Sequence, residues 1–78
     1  MNFEIETGTV TANSTGVATV TFSNGFSSIP TVNAITKGTQ ANSNVYITSL
    51  TKTSVTFNTR KNLIISYQAI SSKALYVK

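Results

Sequence analysis

The sequence predicts an all-β chain, an antiparallel β-sandwich of six to seven strands, on three observations. Apolar residues recur with a period of two, which is the pattern of a half-buried strand. Clusters of Asn, Gly, Ser and Thr break these runs at regular intervals, as turns do. Of the 78 residues, 14 are Thr, 10 Ser and 8 Asn, and the abundant Thr suits a pleated surface. The strong helix formers Ala, Leu, Glu and Lys are sparse. No stretch carries the i, i+3, i+4, i+7 spacing of an amphipathic helix.

The first strand is expected at 3–11, where Phe3 and Ile5 alternate with Asn2, Glu4 and Glu6. This pattern reads the two glutamates as outward residues that blunt the strand. After a turn from Ala12 to Gly16, a second strand at 17–22 sets Ala18, Val20 and Phe22 against Val17, Thr19 and Thr21. Ser23-Asn24-Gly25 turns the chain without closing a tight hairpin, because Phe26-Ser27-Ser28-Ile29-Pro30 is not a clean strand. Pro30 stands just before the third strand, 31–36, where a missing N–H is tolerated. A polar segment at 37–44 follows. The fourth strand, 45–50, has Val45 and Ile47 on one face and Tyr46 on the other. Val55 and Phe57 mark the inner face of the fifth, 54–59. In the sixth, 63–70, Leu63, Ile65, Tyr67 and Ala69 share one face, with Ile64 and Ile70 on the opposite one. Residues 71–78 read as a tail with room for a short strand at 74–77. The whole of 1–78 makes a single domain.

Composition narrows the function. Lys and Arg number 6 against 2 Glu, and the chain has no His, Asp, Cys or Trp. A zinc site lacks ligands, and a nucleophilic Ser lacks its base. A carboxylate pair would have to be Glu4 and Glu6, two residues apart near one terminus. No enzyme, metal or cofactor is expected, which leaves binding or scaffolding. The net charge of +4 reflects few negatives rather than many positives. Only Arg60 and Lys61 are adjacent, and no aromatic platform is interleaved with the cations, so nucleic acid is not an expected partner. Leu63-Ile64-Ile65 is the longest aliphatic run, far short of a membrane span, and Met1-Asn2-Phe3-Glu4 does not read as a signal peptide.

A chain this short, with no disulfide or metal, relies on oligomerisation for stability. Ile64 and Ile70, on what would be a solvent face in a two-layer monomer, are therefore expected at an oligomer interface. The candidate ligand-binding residues are Arg60, Tyr67, Tyr46, Asn42 and Asn44. Arg60 is the only arginine and sits in a turn, where its guanidinium can grip a carboxylate or another anionic group by paired hydrogen bonds. Tyr46 and Tyr67 offer ring faces. Asn42 and Asn44 lie in the polar 37–44 loop, and loops on rigid sheets commonly carry recognition. Each has a plainer role open to it: core packing for Tyr67, cross-strand packing for Tyr46, a solvated turn for Arg60 and a simple connector for the loop.

Several segments taken in order resemble a known family. They are Gly8-Thr9-Val10, Val20-Thr21-Phe22, Phe26-Ser27-Ser28-Ile29-Pro30-Thr31-Val32, Ser54-Val55-Thr56-Phe57 and Ile65-Ser66-Tyr67-Gln68-Ala69-Ile70. From about residue 5 to residue 70 the chain resembles the H-type lectin domain and the related receptor-binding domains at bacteriophage tail-fibre tips. The resemblance implies a six-stranded sandwich that trimerises about a three-fold axis and binds ligands, often sugars, at loops near subunit boundaries. Tyr67 and Ala69 hold the family's aromatic-x-Ala position, where the lectins usually carry Trp. The His and acidic residues common in lectin sugar sites have no counterpart here. The implied role is a virion-surface adhesin that binds host-surface carbohydrate or wall polymer. The alternative is a structural virion protein, a capsid decoration or head-fibre subunit, whose partners are other virion proteins.

Overall fold

The computed structural model describes residues 2–37 and 44–73. Six strands follow one another: β1 (Asn2–Thr11), β2 (Val17–Thr21), β3 (Thr31–Lys37), β4 (Tyr46–Leu50), β5 (Ser54–Asn58) and β6 (Ile64–Lys73). They form two three-stranded antiparallel sheets, in the orders β1-β6-β3 and β2-β5-β4. The described residues contain no helix. A seventh strand at 74–77 would lie outside them.

The inner faces of both sheets share one core. Ala18, Val20, Val55 and Phe57 come from the second sheet, and Ile65, Tyr67 and Ala69 from β6 of the first; all are buried. The Phe57 ring meets that of Tyr67 across the layers, with centroids 6.0 Å apart at 38°. These are the positions that the period-two pattern assigns to the inside, and burying them supplies the main drive to fold.

The first half of β1 departs from the expectation. Phe3 and Ile5 face outward, whereas Glu4 and Glu6 lie on the inner face and are half-buried. The cause lies further along the strand. Val10 and Ala12 pack on the core and Gly8 pairs with Tyr67, so the alternation of an unbroken strand turns residues 4 and 6 inward as well. Their carboxylates hold the β2–β3 connection. Glu6 Oε1 accepts the Ser23 N–H at 2.9 Å, and Glu4 Oε1 accepts the Ser27 N–H at 3.1 Å and its hydroxyl at 2.7 Å. The same connection reaches the other sheet, because Phe22 and Phe26 donate their N–H groups to the carbonyls of Thr53 and Lys52. Phe22 and Phe26 meet edge to face at 4.9 Å, closing this end of the core.

A bulge between Ile47 and Ser49 shifts the phase of β4. Ile47 opposite Phe57 and Leu50 opposite Val55 are thereby both in register with the inner face; Leu50 packs on the core, while Ile47, on the edge strand, stays 41% exposed.

Candidate functional site

Strict up-and-down alternation brings the β1–β2, β3–β4 and β5–β6 connections to one end of the molecule, the loop end. Two of these connections are joined by backbone hydrogen bonds. Ala12 N–H donates to the Leu63 carbonyl at 2.8 Å, Asn62 N–H to that of Asn13 at 3.2 Å and Thr59 N–H to that of Gly16 at 2.9 Å. Inside the β1–β2 turn, Asn13 Oδ1 accepts from the Thr15 N–H, the Thr15 hydroxyl and the Val17 N–H at 2.8–3.0 Å. An Asn side chain is suited to this, since it can bond the backbone a few residues on. Asn62 takes a left-handed conformation, φ 65°, which Asn tolerates better than most residues. The third connection is tied in by the Thr59 hydroxyl, which donates to the Asn44 carbonyl at 2.7 Å.

On this base stand the exposed side chains of Arg60 and Lys61, with exposed Lys37 closing β3 beside Ile64. Asn44 is exposed, and Tyr46 is exposed opposite Asn58 in β4. Three of the five candidate ligand residues, Arg60, Asn44 and Tyr46, are thus brought together at the loop end. Asn42 lies outside the described residues. Lys37 and Lys61 also belong to this cluster; the signal for them was their position beside the strand ends.

Tyr67 is not part of the group. It is buried in the middle of β6, and its hydroxyl lies over Gly8, where an added Cβ would come within 2.8 Å of it. Burial pushes the phenol pKa up, and the charge of Glu6 adds to this. The folded chain therefore holds the phenolic proton more tightly than the unfolded one. The stability linked to this is present below the ordinary tyrosine value of about 10 and is lost as the pH rises through the folded value. Tyr67→Phe is expected to flatten the alkaline fall in stability. Urea midpoints measured from pH 8 upward check this: identical slopes above pH 10 for both proteins would remove Tyr67 from the account.

Charge is segregated along the molecule. Among the described residues, Lys37, Arg60 and Lys61 lie at the loop end, while Glu4 and Glu6, the only carboxylate side chains in the chain, lie toward the other end, where Lys52 and the last residue of β6, Lys73, are also placed. The loop end therefore offers a guanidinium, two ammonium groups, an amide and a phenol ring. Those groups donate hydrogen bonds to anions, and the guanidinium can do so in pairs to a carboxylate or phosphate. Among the described residues no group of three or more potential metal ligands occurs. No helix there is long and apolar enough to cross a membrane.

Ile64 and Ile70 both point to the outer face of the first sheet. Ile64 is exposed beside the loop end, and Ile70 is half-buried toward the other end. Compared with known proteins, the chain matches no family model, no curated protein and no solved structure.

Proposed function

We propose that this chain is a receptor-binding domain of a bacteriophage virion. In this reading its two sheets form a sandwich, three copies assemble about a three-fold axis on the virion surface, and the loop end holds an acidic host-surface glycan or wall polymer. The observation that carries the reading is the segregation of charge: three cations stand on hydrogen-bonded loops at one end, with both glutamates remote from them. A repeating acidic polymer meets several such ends at once. Linked sites then see a high effective concentration, which turns weak single contacts into firm attachment. The family resemblance of the sequence supports the same role.

Binding of the purified protein to poly(glycerol phosphate), to a polyuronate and to neutral dextran tests this and separates phosphate from carboxylate recognition. Arg60→Ala is expected to weaken binding to the preferred acidic polymer by about tenfold, a loss of about 1.4 kcal/mol. Added salt should weaken it further, because exposed charges are screened. Binding indifferent to both Arg60 and salt, or equal binding to dextran, would overturn the reading. The alternative, a structural virion protein, draws support from the exposed apolar face of the first sheet. Tight binding to capsid protein, with none to acidic polymers or host cells, would select it.

A further inference from the structure

The common core is closed along one side and open along the other. Phe57 of β5 lies against Tyr67 of β6, and β1 adjoins β2, so β3 and β4 are the facing edge strands on the remaining side. On the β1–β2 side, Ala12, Ala18, Val20 and Phe22 are all buried. On the β3–β4 side the described apolar residues of the inner face all stay partly open. Val32, Ala34, Val45 and Leu50 are half-buried against the core, and Ile47 is 41% exposed. The result is a seam of aliphatic side chains between two strand edges.

The edge of β3 is the better template of the two. It pairs with β6 in unbroken register over all 7 of its residues. Among the described residues no backbone hydrogen bond reaches it from its other side. Pro30 stands before it and Lys37 ends it, so the devices that guard an edge strand lie only at its two ends. The edge of β4 is interrupted by its bulge. A row of free N–H and C=O groups on an extended backbone is what another strand pairs with. The seam beside that row takes apolar side chains at every second position, because alternate residues of an added strand point to the same face. Charge marks the ends. Exposed Lys37 stands at the loop end of the seam and exposed Lys52 just past β4 at the other, while both glutamates are on β1, the opposite edge of the first sheet. An acidic residue at either end of an incoming segment therefore meets a cation and no carboxylate.

We propose that β3 receives an extended segment of another polypeptide as a fourth strand of its sheet, with aliphatic residues at alternate positions seated in the β3–β4 seam and acidic residues at its ends. The chain thereby takes a protein partner through a strand edge, apart from the acidic polymer assigned to the loop end. Arg60 and Lys61 have no part in the pairing, so its failure leaves the polymer reading standing.

The acetylated and amidated peptide Glu-Val-Thr-Val-Thr-Val-Glu, titrated into the full chain with amide hydrogen exchange read by NMR, tests this. Alternate amides of β3 are expected to exchange about tenfold more slowly with the peptide bound. Ile47→Lys puts a charge into the seam at a position already partly open to solvent, and should weaken binding by about tenfold or more with unchanged far-UV circular dichroism. Ile35→Ser, on the outer face of β3, should bind as the wild type does. The peptide with Lys in place of both Glu should bind about tenfold more weakly, and Lys37→Glu should narrow that preference. No binding at about 1 mM peptide, protection on β1 or β2 in place of β3, or an Ile47→Lys variant that binds unchanged would each overturn the proposal. Equal binding of the two peptides would overturn the acidic ends. If the chain alone assembles and Ile47→Lys disperses it, the edge belongs to a second copy and the proposal falls.

Discussion

Phe57→Ala is expected to lower stability by about 3–5 kcal/mol, the cost of emptying a large aromatic site in a packed core. Phe57 is fully buried at the centre of β5. It pairs with Ala18 of β2 on one side and Ile47 of β4 on the other, and its ring is the direct contact with Tyr67 of the opposite sheet. Removing it opens a gap between the sheets that its neighbours fill poorly: Ala18 is too small, and Ile47 lies on the edge strand, partly open to solvent. A domain of this length has a total stability of about 4–12 kcal/mol, so the loss takes a large share of it. Urea unfolding followed by circular dichroism is the measurement. At a slope of about 1 kcal/mol per M for a small protein, the midpoint should fall by about 3 M or the variant should be unfolded from the start. A loss below about 1 kcal/mol, within the ordinary range for surface substitutions and mild core trims, would mean that Phe57 is not the centre of the core.

Most of the strand plan was legible in the sequence, and the reason is physical. Where one face of a strand is apolar throughout, as with Ala18 and Val20 or Val55 and Phe57, alternation alone assigns inside and outside. β1 does not meet that condition. Its apolar residues fall on one face at 3 and 5 and on the other at 10 and 12, so hydrophobicity near its start points the wrong way. Only the pairing of Gly8 with Tyr67 and the burial of Val10 and Ala12 reveal the phase. Hence Glu4 and Glu6, read as residues blunting a strand, hold the β2–β3 connection instead. β4 misleads for another reason: its bulge adds a residue that no local composition announces. β6 runs on to Lys73, past the expected end at 70, because β1 continues to offer it partners down to Asn2.

The gathering of Arg60, Asn44 and Tyr46 follows from the strand order once every strand is antiparallel to its neighbours. The separation of Tyr67 from them follows from its place in mid-strand. What single residues could not disclose was the charge layout, since Lys37 is 23 positions from Arg60 and joins it only through the pairing of β3 with β6. The same pairing makes the face carrying Ile64 and Ile70 larger than those two residues suggested. Phe3 and Ile5 reach it because of the β1 phase that sequence reading missed.

Gly16→Ala is expected to cost about 3 kcal/mol or more, and to disturb the loop end most. Gly16 has φ 83°, and a Cβ built on it would stand 2.2 Å from the Thr59 carbonyl oxygen. That oxygen belongs to the backbone and cannot swing aside like a side chain. The left-handed conformation alone costs a non-glycine residue roughly 1–2 kcal/mol. Relieving the clash must also strain or break the bond from the Thr59 N–H to the Gly16 carbonyl, a loss of about 1 kcal/mol. Gly25→Ala separates these contributions. Its φ is 69°, but the nearest atom to an added Cβ is a methyl carbon of Thr53 at 3.6 Å, so only the backbone cost of about 1–2 kcal/mol applies. If the two variants lost the same stability, the crowding at Thr59 would have no energetic weight. Arg60 follows Thr59 directly, so Gly16→Ala should also weaken binding to acidic polymer at temperatures where the fold persists. Gly25→Ala, at the far end with Glu4 and Glu6, should leave that binding unchanged. A Gly16→Ala protein that is destabilised yet binds as the wild type does would show that the hydrogen-bonded loop base does not position the cations.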